Sequence, residues 1–112
     1  MADIYHIWAD KRGELSDHEW VAGMRRFLQK LVDEKKMNSF RITRCKLGFR
    51  SMENMPEWNI QMEFDNMAHL ENAFKRVAPK EGELEQDHRS FNQFVGDNIH
   101  HALFADYPYD FK

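Results

Sequence analysis

The first apolar segment of the chain carries large side chains on both of its faces. Residues 4–9 read Ile-Tyr-His-Ile-Trp-Ala, and residues of these types favour a β-strand. Neighbouring side chains of a strand point to opposite sides, so Ile4 and Trp8 share one face while Tyr5 and Ile7 share the other. A sheet that contains such a strand needs an apolar cover on each side. This requirement limits the possible folds more than any other feature of the sequence.

The next segment has the signals of an amphipathic helix that supplies one of these covers. Ser16 is predicted to be the N-cap, and Glu19 three residues later completes a capping box. Asn38 is predicted to end the helix in a left-handed conformation. Between them, apolar side chains recur on one stripe: Trp20, Met24, Phe27, Leu28, Leu31 and Val32.

Alternating patterns predict three further strands, over residues 39–49, 57–64 and 98–107. The second and third strands form a hairpin joined by a polar loop. The third strand alternates most cleanly, and its apolar side chains all face one way: Trp58, Ile60, Met62 and Phe64. We expect this face to meet the helices.

Two more helices are predicted between the third and fourth strands. Asp65 or Asn66 caps the first of them, and Pro79 ends it. After a break at Gly82, a shorter helix continues until Gly96 stops it. Its side chains at helical spacing are Leu84, His88, Phe91 and Val95.

This order of elements, β-α-β-β-α-(α)-β, predicts an α+β fold with a ferredoxin-like arrangement. The chain of 112 residues is expected to form a single domain over residues 1–112, with a four-stranded antiparallel sheet and the helices on one face. No element is left to cover the other face. A second copy of the chain is the simplest cover, so the sequence predicts a homodimer through the sheet face, burying about 1,200–2,000 Å² in total.

Composition argues against several classes of partner. The formal net charge is −3, which does not suit a general nucleic-acid binder. The same element order builds the RNA-recognition motif, but residues 58–64 lack its RNP1 pattern. No apolar run is long enough for a membrane span, and the first residues do not resemble a signal peptide. Cys45 is the only cysteine, which suits a cytoplasmic location without disulfides.

The element order and the second sheet cover resemble the dimeric α/β-barrel superfamily, which includes antibiotic-biosynthesis-type monooxygenases, NIPSNAP-like proteins and haem-degrading oxygenases. Residues 85–91, Glu-Gln-Asp-His-Arg-Ser-Phe, are similar to the short helix before the last strand in these families, where a His often sits. In the haem-degrading members this His ligates iron, which would make His88 the ligand. Those members also use a Trp in the preceding helix and an Asn on the first strand, where this chain has Phe74 and Tyr5 or His6. No cofactor is therefore expected.

Two histidines are the candidate catalytic residues. His88 lies on the apolar stripe of the third helix and is expected to face a groove between helices and sheet, while His6 shares a strand face with Trp8. The candidate substrate-binding residues, expected in the same groove, are Trp8, Arg44, Trp58, Asn59 and Phe74. The alternative is purely structural: His88 is a half-buried, hydrogen-bonded side chain, and the polar side chains around His6 pair with one another across the dimer seam.

No metal site is predicted. His100 and His101 are adjacent on a strand and point to opposite faces, and the sequence contains no spaced His/Cys cluster, Walker loop or nucleophile elbow. The sequence therefore predicts a small dimeric protein that binds or converts a small, partly apolar molecule, in the manner of a cofactor-independent monooxygenase or isomerase. The alternative is a non-catalytic ligand-sensing or interaction module.

Overall fold

A computed structural model describes residues 2–108 of the chain. Its elements follow the predicted order: β1 (Asp3–Ala9), α1 (Asp17–Asp33), β2 (Ser39–Arg44), β3 (Trp58–Phe64), α2 (Met67–Val77), α3 (Glu83–Asn92) and β4 (His100–Ala105). This confirms the α+β class and the extra short helix before the last strand. The aromatic tail that the sequence contains after Pro108, with Tyr109 and Phe111, lies outside the described residues.

The four strands form one antiparallel sheet in the order β2-β3-β1-β4. β3 lies between β1 and β2, and β1 lies between β3 and β4. This is the interleaved arrangement of a ferredoxin-like fold, as predicted. The register places Tyr5 opposite Met62 and Ile7 opposite Ile60, so these side chains share the face that packs under the helices.

The first helix forms as its sequence signals predict. Ser16 Oγ accepts a hydrogen bond from the backbone N–H of Glu19 at 3.1 Å. The end of the helix differs from the prediction, because Lys35 rather than Asn38 adopts the left-handed conformation, with φ of 61°. The N–H of Lys36 then reaches the carbonyl of Leu31 at 2.8 Å, which satisfies carbonyl groups at the helix end in a Schellman motif.

The second strand is shorter than predicted. It ends at Arg44, so the expectation that residues 45–49 continue the strand is wrong. The backbone turns there, with Phe49 N–H bonded to Lys46 O at 3.1 Å and Gly48 at φ of 85°, a conformation that glycine adopts without strain. Leu47 and Phe49 are consequently 98% and 85% exposed. The fourth strand is also shorter, spanning His100–Ala105.

Trp20 joins three elements at the centre of the core. It is fully buried, its ring meets that of Trp58 edge-on at 5.3 Å, and its Nε1–H donates to the carbonyl of Phe91 at 3.0 Å. A buried tryptophan thus satisfies its one polar group while linking α1 to β3 and α3. Buried residues of the helices and of the sheet together form one hydrophobic cluster.

The third helix packs along the first. Lys30 on α1 binds Glu83 at 2.8 Å and also pairs with Asp87. At Gly23 a Cβ would lie 3.0 Å from Ser90 Oγ, so the glycine lets the two helices approach closely. None of the helices within residues 2–108 is long and apolar enough to cross a membrane. The structure measures 41 × 39 × 19 Å, as expected for one helix layer on one sheet.

Candidate functional site

Two adjoining cavities lie between the sheet and the helices, with volumes of about 320 Å³ and about 120 Å³. They share five lining residues: Ile7, Phe27, Leu28, Met62 and His88. Helix α3 packs mainly against α1, and its His88 faces the space between the helices and the sheet. A pocket of this kind, mostly apolar with few polar groups, is typical of sites for small molecules.

His88 is the central polar group of these cavities. Its ring lies 4.9 Å from that of Phe27 and 5.6 Å from that of Phe91, and its side chain is 25% exposed. Burial lowers the pKa of His88, the nearby carboxylate of Glu85 raises it in part, and Lys80 lowers it further. The imidazole is therefore held neutral near pH 7, a state that can accept or donate a hydrogen bond.

Further polar side chains line the cavities around His88. Tyr5 on β1 packs edge-on against Phe74 of α2 at 5.7 Å, and burial raises the pKa of its hydroxyl. Lys80 borders the wider cavity, and Asn92 borders the narrower one. These groups offer hydrogen bonds at several points of an otherwise apolar surface.

Glu85 lies one turn before His88 on α3 and is only 7% exposed. One carboxylate oxygen, Oε1, accepts a hydrogen bond from Arg89 Nε at 3.1 Å. The other, Oε2, lies 4.0 Å from His88 Nδ1 and has no hydrogen-bond partner among residues 2–108. A buried carboxylate beside the cavity histidine is the least expected feature of the site.

The predicted site residues do not meet in one groove. Of them, His88 and Phe74 line the wider cavity. The opposite face of the sheet holds His6, Trp8 and Asn59. The even-numbered residues of β1 face away from the helices, and they pair with odd-numbered residues of β3. The expectation that His6 and Trp8 share a groove with His88 is therefore wrong in geometry, since the sheet separates them.

Two other candidates are paired with each other, Arg44 on the edge strand β2 and Trp58 on the neighbouring strand β3. The Arg44 guanidinium stacks over the ring of Trp58, 5.1 Å from its centroid. It also binds Asp17 at 3.3 Å and Glu57 at 3.1 Å. Arg44 and Trp58 are thus engaged with neighbours in the chain and do not line the cavities at His88.

Several cavity residues were missed from the sequence. Strand alternation puts Tyr5 on the face away from His6 but indicates only a packing role for it. The signal for Glu85 is its spacing of three residues from His88, which puts the two on neighbouring positions of a helix. Lys80 had no signal, because it lies in the break between α2 and α3.

Residues 2–112 of the chain match the model of a protein family of unknown function, DUF6614. The match covers almost the whole sequence. The chain belongs to the DUF6614 family. No curated protein shows significant sequence similarity to it.

Solved structures resemble the DUF6614 chain in fold. A dimeric ferredoxin-like protein of unknown function from Jannaschia sp. CCS1 has a TM-score of 0.68 at 14% identity, with 95% of this chain and 100% of that chain covered. SnoaB, a cofactor-independent oxygenase from Streptomyces nogalater, has a TM-score of 0.67 at 8% identity, covering 96% and 95%. A dimeric ferredoxin-like protein from Thermobifida fusca YX has a TM-score of 0.60 at 9% identity, covering 94% and 91%. These likenesses confirm the predicted ferredoxin-like fold.

The sheet face away from the helices, here called the open face, has two unlike halves in the DUF6614 chain. The register places on it the side chains of Ile4, His6, Trp8, Ser39, Arg41, Thr43, Asn59, Gln61, Glu63, His100, Ala102 and Phe104. The β1 and β4 half is largely aromatic: the ring of His6 stacks on that of Trp8 at 5.1 Å and lies 5.0 Å from that of Phe104. The β2 and β3 half is polar, and Gln61 Nε2 donates to Asn59 Oδ1 at 2.9 Å.

A larger hollow of about 480 Å³ lies at one end of the open face, beneath the loop between β2 and β3. Trp8, Met55 and His100 line it, together with Met52, which is 68% exposed. His101 lies on the helix side, 5.8 Å from the ring of Tyr5, so the two adjacent histidines point to opposite faces as predicted. Within the described residues, no group of three or more His, Cys, Asp or Glu side chains is placed to hold a metal ion.

Proposed function

We propose that this DUF6614 protein binds a small, partly apolar molecule in the cavities between its sheet and its helices. The observation that carries the proposal is the position of His88, which lies where the two cavities meet. A core alone would fill this layer with aliphatic side chains at close packing. Here the layer instead holds space and four polar groups, from Tyr5, Lys80, His88 and Asn92.

The site favours a cofactor-independent reaction that begins with removal of a proton from the bound molecule. A neutral imidazole at His88 can take a proton from an acidic O–H or C–H group of a bound molecule. SnoaB, which shares the fold, is a cofactor-independent oxygenase. The second candidate is a ligand-sensing module that binds the same molecule without changing it, and turnover of a bound compound separates the two.

We further propose that two copies of the chain pair through their open faces. The aromatic half of this face, with Trp8 and Phe104, would otherwise remain in water, and Phe104 is 56% exposed. The polar half is suited to burial because Asn59 and Gln61 hydrogen-bond to each other. Solved proteins of similar fold are dimeric. A reducing cytoplasm, where the thiol of Cys45 stays free, is the proposed location.

The binding proposal is tested with 2-naphthol, a fluorescent apolar molecule that has one hydroxyl group. We expect saturable binding to the wild type. Binding to His88→Leu should be about tenfold weaker, because leucine has a similar size but cannot form the hydrogen bond. His18→Leu is the matched control, since His18 is an exposed histidine on α1, and it should bind like the wild type. Equal affinity of all three proteins, or no saturable binding, would contradict the proposal.

A further inference from the structure

The carboxylate of Glu85 is buried without enough partners. Its side chain is 7% exposed, and its only hydrogen bond within the described residues is the one that Oε1 accepts from Arg89. Oε2 has none. A charged oxygen that leaves water without a hydrogen-bond partner destabilises the folded chain. Oε2 lies 4.0 Å from His88 Nδ1, a nitrogen that can carry a proton.

Helix stabilisation accounts for only part of this arrangement. Glu83 and Glu85 both lie in the first turn of α3, where acidic side chains interact favourably with the helix dipole. Glu83 does so from solvent, with its side chain 82% exposed and bound to Lys30. The dipole therefore explains an acidic residue in this turn, but not the burial of Glu85 beside the cavity histidine.

We propose that Glu85 is a positioning residue whose Oε2 accepts the Nδ1 proton of His88, so that the Nε2 lone pair is presented to the cavity. The shortening needed, from 4.0 Å to a hydrogen bond of about 2.8 Å, is within reach of rotations of the two side chains. The tautomer of a neutral imidazole follows from the bond that its other nitrogen makes.

A ligand class follows from this tautomer, and this step rests on the proposed function. Because Nε2 then accepts and cannot donate, this position selects a molecule that donates an O–H or N–H group, and the apolar lining favours a largely apolar one. A ligand that has only a hydrogen-bond acceptor next to Nε2 brings its own lone pair against the lone pair of Nε2, which is unfavourable. Lys80 is the one cationic side chain that lines the wider cavity, and together with burial it keeps His88 unprotonated.

The charged and titratable groups around His88 come from three parts of the fold. Glu85 and Arg89 lie on α3, Lys80 lies between α2 and α3, and Tyr5 lies on β1. Among these groups, Glu85 forms the close contact with the imidazole, because its Oε2 lies 4.0 Å from His88 Nδ1. Replacing Glu85 by its amide isostere therefore changes the orientation of His88 while the shape of the site is kept.

The first test reads the His88 tautomer by ¹⁵N nuclear magnetic resonance of the ligand-free protein near pH 8. We expect the proton on Nδ1 in the wild type and on Nε2 in Glu85→Gln, because the new amide N–H donates to Nδ1. Glu83→Gln, in the same helical turn, is the matched control and should keep the wild-type pattern. An Nε2–H tautomer in the wild type, or an unchanged tautomer in Glu85→Gln, would overturn the positioning role.

The second test compares 2-naphthol with 2-methoxynaphthalene, which has nearly the same shape but no hydroxyl proton. The wild type should prefer 2-naphthol, and the ratio of the two affinities should fall about tenfold in Glu85→Gln. Binding of both probes with an unchanged ratio would overturn the inference and leave the proposed function intact. Failure of both probes to bind the wild type would contradict the proposed function, while the tautomer measurement would still decide the role of Glu85.

Discussion

Burial and the carboxylate of Glu85 have opposite effects on the pKa of His88. Burial favours the neutral imidazole and lowers its pKa, Glu85 raises it, and Lys80 lowers it again. The net shift is downward from the ordinary value of 6.5. An imidazole that stays neutral in the folded chain but ionises in the unfolded chain couples folding to pH.

The sign of this coupling gives a prediction for His88→Gln. Well above pH 6.5 the imidazole is neutral in both states, so His88 adds no pH dependence. As the pH falls below 6.5, the unfolded chain takes up the proton first, and the wild type loses stability until the folded pKa is passed. His88→Gln should lack this loss. The difference in urea-unfolding free energy between the two proteins at pH 8 and pH 5 measures it, and a constant difference would contradict the assignment.

At the scale of elements, α1 shows how local signals and packing combine. Its N-terminus is set by Ser16, whose Oγ satisfies the N–H of Glu19. Its apolar stripe fixes the rotation of the helix on the sheet, with Trp20, Met24 and Leu31 all buried. Its C-terminus is closed at Lys35 by backbone hydrogen bonds. Each end therefore rests on a few hydrogen bonds that a single substitution can remove.

The cap of α1 gives the second stability prediction. Ser16→Ala removes the side-chain acceptor of the Glu19 N–H and should lower the free energy of unfolding by about 1 kcal/mol. Ser51→Ala is the control, because Ser51 is exposed in the loop between β2 and β3, and it should change stability by less than about 0.5 kcal/mol. Urea denaturation monitored by circular dichroism measures both. Equal losses in the two variants would argue against the cap.

At the scale of the whole molecule, the covering of the sheet is uneven. The helices cover the face of Trp58, Ile60 and Met62, all of which are buried. Except at the end where the loop between β2 and β3 lies over the hollow, the open face has no cover within the described residues, although its aromatic half is apolar. A shortest dimension of 19 Å fits a sheet with helices on one side alone, and a second copy would complete a four-layer arrangement.

The proposed dimer predicts a charge-sensitive interface. Phe104 is 56% exposed in the single chain, so Phe104→Glu should fold with little loss of stability yet give a monomer, because a buried carboxylate at the interface is unfavourable. Asn72→Glu makes the same change of charge on the exposed side of α2 and should remain dimeric. Light scattering after size-exclusion chromatography at micromolar concentration gives the masses. A monomeric wild type would refute the pairing.

Local physics alone determined most of the architecture of this chain. The cap at Ser16, the stripe of α1 and the alternation of Trp58 to Phe64 depend on neighbours within a few residues, and each was predictable. The order of these elements then led to the ferredoxin-like sheet, since few topologies satisfy right-handed crossovers. The exact end of β2 was not predictable, because Cys45, Leu47 and Phe49 continue the alternation of a strand beyond Arg44, where the strand ends.

The candidate site was decided by tertiary structure. Nothing within a few residues of His88 indicates that Tyr5 comes to the same cavity, or that Glu85 is withdrawn from water. Those facts follow from how α3 leans on α1 and from the strand register, which also sends His6 and Trp8 to the other side of the sheet. Periodicity determines which side chains share a face of one element. Only packing determines which faces of different elements meet, because it depends on contacts far apart in the chain.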